Sequence, residues 1–297
     1  MIAQLLVARH NEPEGLVGRL LGSVPTDDVD VIIADDGSDE PLPASFLSRW
    51  PFPVRYETLP HRNLSATRNA LLDMSDGDVL MFCDADDSFH GEVLPSAVRK
   101  MGDADMLTSA LLQEGTDGRL FVRHCDPYFC QGKLFRRSFL IKERIRWDES
   151  FPHSGDNYFL WQAIELAGTH VYDARPMYVW RWNQGSVCRR DPHHFRDSQH
   201  LHLRSHRLLS ASFAGRGRED LARKYAARLF CEGYAMASQG WWDPSARYAL
   251  DVADELRQGL GLRDAALAYD GLEDMLAATC RGRDLMGGFE AWLGSLS

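Results

Sequence analysis

The chain has 297 residues, 44% hydrophobic and 26% charged, a globular composition with room for one large α/β domain and a smaller attachment. Its formal net charge of -10 argues against the overall basic surface that nucleic-acid and membrane-surface proteins present. Cys83, Cys125, Cys130, Cys188, Cys231 and Cys280 are scattered without a CxxC pair, which makes a zinc site or a disulfide scaffold unexpected and free thiols in a reducing compartment expected.

In chain order, residues 2–8 read as a buried strand and residues 15–21 as a helix with Leu16, Val17, Leu20 and Leu21 on one face. Residues 30–34 (DVIIA), 54–58 and 78–83 read as further strands, and residues 64–74 and 91–101 as helices. Residues 105–113 and 119–124 flank Thr116-Asp117-Gly118 as a hairpin. Residues 219–238, 244–260, 264–280 and 285–293 read as helices separated by glycine-containing breaks. The expected fold class is therefore α/β, a mostly parallel sheet flanked by helices over 1–215, followed by a helical region over 216–297. The opening MIAQLLVARHNE is too short in its apolar run for a signal peptide, and no stretch approaches the roughly 18 apolar residues of a membrane span, so a cytoplasmic protein is expected.

Three polar clusters sit at the carboxyl ends of predicted strands: Arg9-His10-Asn11-Glu12, Asp35-Asp36-Gly37-Ser38 and Asp84-Ala85-Asp86-Asp87. Ligands of open α/β sheets bind outside those ends. Neither GxGxxG nor GxxxxGK[ST] is present, so a nucleotide diphosphate would need its charge offset by another route. A divalent cation on Asp84 and Asp86, two hard oxygen donors at i and i+2 of an extended strand end, supplies one. The bland readings are a helix cap for Asp86 or Asp87, a simple turn at Asp35, and a surface ion pair for Arg68.

Asp35-Asp36-Gly37-Ser38, the segment LSATRNA at 64–70 and the segment GDVLMFCDADD at 77–87 resemble, in order, the motifs of family 2 glycosyltransferases with the GT-A fold. GKLFRRSFL at 132–140 and GDNYF at 155–159 extend the resemblance, which covers roughly residues 2–190. It implies a Rossmann-like nucleotide-binding half and inverting sugar transfer from a nucleotide-sugar donor, with Mn2+ or Mg2+ as cofactor. It also implies that Ala8, His10, Asn11 and Glu12 line the nucleoside pocket with Asp36, and that Asp35 hydrogen-bonds the base, expected to be uracil. Arg68 would approach the base or phosphate, and Asp84 the ribose or a metal-bound water. Asp84 and Asp86 would hold the metal, and Asp156 would deprotonate the acceptor hydroxyl. The chain departs from the pattern where Ala8-Arg9-His10 replaces a proline and an aromatic, and where Gly155 replaces an acid. Tyr178 to Ser186 resembles the strand and loop after the catalytic segment, with Arg181 or Ser186 set to touch the diphosphate. His153 and the pair His193-His194 are further candidate ligands.

The implied acceptor is a hydroxyl of a glycan or surface polymer. Residues 181–218 hold eight Arg and five His against two Asp, about +6, which leaves about -16 elsewhere and keeps a hydroxymethylated DNA base open as an alternative acceptor. A non-catalytic nucleotide-sugar-binding protein is the reading from another class. The C-terminal helices are expected to serve oligomerisation or acceptor binding, with Trp241 and Trp242 as a candidate sugar platform.

Overall fold

The structure is a computed structural model describing residues 3–25, 29–90, 92–124, 129–183, 185–186, 194, 198–238, 247–280 and 284–296. Cys125, Cys188, His193, Trp241 and Trp242 lie outside the described residues. The chain divides into two compact units, Met1–Ser186 and Val187–Ser297.

Among the described residues the first unit has nine strands: β1 (Ala3–Arg9), β2 (Val29–Asp35), β3 (Val54–Thr58), β4 (Val79–Asp84), β5 (Ser88–Phe89), β6 (Met106–Glu114), β7 (Leu120–Arg123), β8 (Lys133–Arg136) and β9 (His170–Trp180). The order is β3-β2-β1-β4-β8-β6-β9-β5, with β7 also on β6. β3, β2, β1 and β4 run parallel, as does the β6–β9 pair, while β8, β7 and β5 pair antiparallel. The α/β class is as expected, and the sequence pattern of the first hundred residues, where helices return the chain between strands, belongs to the parallel part. The hairpin also forms, β6 against β7.

Continuous apolar runs in β1 and β4 arise because both faces of the sheet are covered. Leu5 and Val7 face one cluster while Leu6 and Ala8 face the other; Met81 and Cys83 alternate with Leu80 and Phe82 in the same way. Helices α1 (Glu14–Gly22) and α4 (Val93–Met101) cover the first face, α4 through Leu94, Ala97 and Met101. Helices α3 (Leu64–Met74), α5 (Arg137–Lys142) and α6 (Asp156–Leu166) cover the second, where Phe82, Trp147 and Phe159 pack ring against ring. A one-turn helix, α2 (Ala44–Leu47), buries Phe46.

The second unit is helical: α7 (Gln199–Gly215), α8 (Glu219–Ser238), α9 (Arg247–Gln258), α10 (Arg263–Leu267), α11 (Leu272–Thr279) and α12 (Leu285–Ser295). Its own core gathers Leu203, Phe230, Val252, Leu256, Leu276 and Phe289. The single helix expected over 264–280 is two, because the chain turns through Tyr269 and Gly271, where a Cβ would lie 2.8 Å from the Tyr269 hydroxyl. Cys83, Cys130, Cys231 and Cys280 are free and buried. No helix among the described residues is long and apolar enough to cross a membrane.

Candidate active site

Strand register brings the three polar clusters together. Arg9 pairs with Asp35 across β1–β2, and Ala8 with Asp84 across β1–β4, so the carboxyl ends of β1, β2 and β4 share one rim. Behind Asp84, a buried arginine organises the centre. Arg68, on α3 and 4% exposed at its side chain, donates through Nη2 to Asp84 Oδ1 at 2.9 Å and through Nη1 to Asp156 Oδ1 at the first residue of α6. Burial alone would weaken the charge on Arg68, but Asp156 and Asp84 outweigh it and raise its pKa. The surface ion pair weighed for Arg68 is therefore replaced by a buried one, because α3 packs on β1 and β2 and turns Arg68 toward the end of β4.

Each carboxylate has further partners. Asp84 accepts from Gln131 Nε2 at 2.6 Å. Burial pushes its pKa up, Arg68 opposes this, and the neighbouring Asp86 and Asp156 add to the rise. Asp156 Oδ1 also accepts from Trp147 Nε1 at 3.3 Å, while Oδ2 accepts, among the described residues, from the Cys130 N–H at 3.4 Å. Asp86 accepts from Asn183 Nδ2 at 2.9 Å. Asp87 caps no helix: it is buried, with its oxygens taken by the Tyr178 hydroxyl and the Arg181 N–H, both at 2.7 Å. Burial and the charges of Asp84 and Asp86 drive its pKa well up. Asp87 caps no helix because residues 88–89 continue as a strand against β9.

The rim around β1 and β2 is equally specific. Asp35 is fully buried and accepts from Arg9, from the Tyr56 hydroxyl and from the Ser38 N–H at 2.8 Å. Those bonds and the Arg9 charge overcome burial and hold its carboxyl below the usual range. Arg9 also donates to the Glu12 and Glu40 carbonyls at 3.0 and 2.9 Å. Asn11 adopts φ 67, a left-handed turn that Asn tolerates, and links across to Ser38 and Asp39. Glu12 accepts from the His10 N–H, and burial lifts its pKa to about 7. Asp36 is buried and accepts from the Arg62 N–H at 2.8 Å. Arg181 reaches Ser88 Oγ at 2.8 Å and lies 3.7 Å from Glu114.

Ala8, His10, Asn11, Glu12, Asp35 and Asp36 thus occupy one end of the sheet, and Arg68, Asp84 and Asp156 form one hydrogen-bonded group. His153 bonds to Ser154 Oγ, and His194 belongs to the second unit. Sequence reasoning missed Tyr56, His61, Gln131, Trp147, Tyr178 and Asn183. Gln131 adjoins the GKLF segment, and Tyr178 and Asn183 fall within the segment 178–186 without a role of their own; Tyr56, His61 and Trp147 are isolated in sequence and become neighbours only through the fold.

Residues 5–160 match the profile described as glycosyl transferase family 2. The succinoglycan biosynthesis protein ExoM of Rhizobium meliloti (strain 1021) is 30% identical over 129 residues, 40% of this chain and 41% of that protein's length. The crystal structure of S. aureus TarS 1–349 in complex with UDP-GlcNAc is similar over 99% of this chain and 91% of that one, with TM-score 0.70 and 15% identity. TarS 1–349 without that ligand gives TM-score 0.68 at the same identity and coverage. With a profile match that spans more than half of its residues, the chain belongs to glycosyl transferase family 2, and it shares its fold with TarS.

Proposed function

We propose that the chain moves a sugar, with inversion, from a UDP-sugar to a hydroxyl of a glycan or surface polymer. The observation that carries this reading is the joining of Asp84 and Asp156 on one buried guanidinium, which sets a donor-side carboxylate and a candidate base a single side chain apart. The names of the relatives support the substrate class: ExoM is named for succinoglycan biosynthesis, and TarS was crystallised with UDP-GlcNAc and with UDP.

In this reading His10 offers its ring to the base, beside the small side chain of Ala8, while Asn11 and Glu12 hold the loop that closes the pocket. Asp35 and Asp36 form its polar wall; Asp35 would exchange one of its present partners, Arg9 or Tyr56, to accept a base N–H. Arg181 would exchange its loose contact with Glu114 for a phosphate oxygen. Asp84 and Asp86 supply hard carboxylate oxygens, and the upward push on Asp84 marks negative charge that a cation would relieve, so the pair fits Mg2+ or Mn2+. When bound, the ion would neutralise charge on the departing diphosphate. The acceptor hydroxyl attacks the anomeric carbon as the bond to the diphosphate oxygen breaks, and its proton passes to Asp156. Oδ2 is the oxygen suited to take it, because Arg68 and Trp147 both hold Oδ1.

A thermal-shift screen of nucleotide sugars tests the reading. UDP-sugars with Mn2+ are expected to raise Tm, and the rise to vanish with EDTA and in Asp86→Ala. Stabilisation by no nucleotide sugar would contradict it.

A further inference from the structure

Across the rim from the two carboxylates, His10, Asp36 and His61 bring ligand atoms of two imidazoles and a carboxylate within 4.8 Å of one another, a grouping of at least three such residues among those described. We propose that this trio is a second metal site, selective for a borderline cation of the Zn2+ class rather than for Mg2+ or Mn2+. Imidazole nitrogen with one carboxylate is the donor set of Zn2+, Co2+ or Ni2+, whereas magnesium and manganese prefer oxygen.

The fold builds the trio from three separate segments and fixes it by backbone. The Asp36 N–H donates to the Arg9 carbonyl at 2.8 Å and the Leu59 N–H to the Asp35 carbonyl at 2.7 Å, which ties the ends of β1, β2 and β3. Gly37 sits at φ 71, and a Cβ there would lie 3.0 Å from both Cβ and N of His61, so the turn closes directly on that histidine. Asp36 is buried and oriented: Oδ1 accepts from the Arg62 N–H at 2.8 Å, and Oδ2 lies 3.1 Å from His61 Nδ1. The Nδ1 atoms of His10 and His61 lie 2.9 and 3.0 Å from the same Asp36 carbonyl oxygen. A hydrogen bond of one ring nitrogen to a backbone carbonyl is the arrangement that orients metal-binding histidines.

The two rings are stacked, centroids 4.3 Å apart and 18° between planes. A metal lies in the plane of each imidazole it binds, so one ring must turn out of the stack on coordination. Both histidines are exposed, and rotamer exchange at exposed side chains takes picoseconds to nanoseconds. Where the UDP-sugar reading holds, the ion also engages the His10 ring that would be offered to a base, which makes it an inhibitor of donor binding.

The test is a Co2+ titration of the untagged full chain in excess Mg2+, which saturates hard carboxylate sites, read by visible absorption. One Co2+ should bind, be displaced by Zn2+, and show no thiolate-to-cobalt charge-transfer band. Affinity should stay unchanged in Asp86→Ala and fall at least about tenfold in His61→Ala and in His10→Ala, since losing even a group that only supports a ligand costs about that much. Unchanged Co2+ binding in a folded His61→Ala variant would overturn the proposal, as would loss of binding in Asp86→Ala or a thiolate band. The binding readout does not depend on sugar transfer, so its failure leaves the enzymatic reading standing, and the converse also holds.

Discussion

At the scale of single residues, the site manages a concentration of carboxylates in three different ways. Asp84 and Asp156 are compensated by Arg68, Asp87 is withdrawn into hydrogen bonds with Tyr178 and Arg181, and Glu12 is left with a pKa of about 7 because burial, not a cation, dominates its surroundings. That last value has a consequence for stability. Between the ordinary value of 4.5 and about 7, the folded state keeps a proton on Glu12 that the unfolded chain has lost. The contribution is fully present below pH 4.5 and is lost as pH rises through about 7. In metal-free buffer, Glu12→Gln should therefore match the wild type near pH 4.5 and exceed it in Tm at pH 8. Parallel pH curves for the two proteins would show that Glu12 titrates normally.

At the scale of elements, the parallel part of the fold was legible because each strand announces itself twice, by an apolar run and by the polar residues where it ends. The helices 64–74 and 219–238 agree residue for residue with α3 and α8. The antiparallel strand β8 and the short β5 were not legible as strands. Four and two residues long, they owe their extended form to neighbours distant in sequence: β8 to β4 and β6, β5 to β9. The same reason hid Tyr56 and Tyr178, which reach Asp35 and Asp87 only across the sheet. The glycine at position 155, by contrast, was visible as a departure from the family pattern, and its cause is now physical. A Cβ there would come within 2.6 Å of Ser65 Oγ, where the start of α6 meets α3. Gly155→Ala should cost about 1–3 kcal/mol by overpacking. Ser65→Ala in the same chain should recover part of that loss, so the two substitutions should be less than additive in urea unfolding. Additive costs would place the clash elsewhere.

At the scale of the whole molecule, the uneven charge distribution kept a DNA acceptor in view. The structure gives several described members of that basic window acidic partners. Arg207 pairs with Glu255 at 3.0 Å, Arg218 with Asp220 at 3.1 Å, His206 with Glu232 at 3.0 Å, and the Arg181 guanidinium lies 3.7 Å from Glu114. Cations engaged in this way release few counterions from a phosphate backbone. Duplex DNA should accordingly show no binding at physiological salt in a filter or anisotropy assay; salt-dependent binding there would revive the DNA acceptor. The helices over 216–297 were recognisable from apolar periodicity, while their part in the reaction was not, because no chemistry-bearing cluster in that stretch marks one.

The central claim is that Asp156 takes the acceptor proton while the rim of β1, β2 and β4 holds the donor. The most direct test compares wild type and Asp156→Asn for release of UDP from a UDP-sugar with Mn2+ and a polymer acceptor, alongside donor affinity by calorimetry. The expected result is a loss of turnover of roughly 10²–10⁴-fold, the usual worth of a general base, with donor affinity within a few fold of wild type. Undiminished turnover in Asp156→Asn, or a variant that loses donor binding and turnover together, would contradict it.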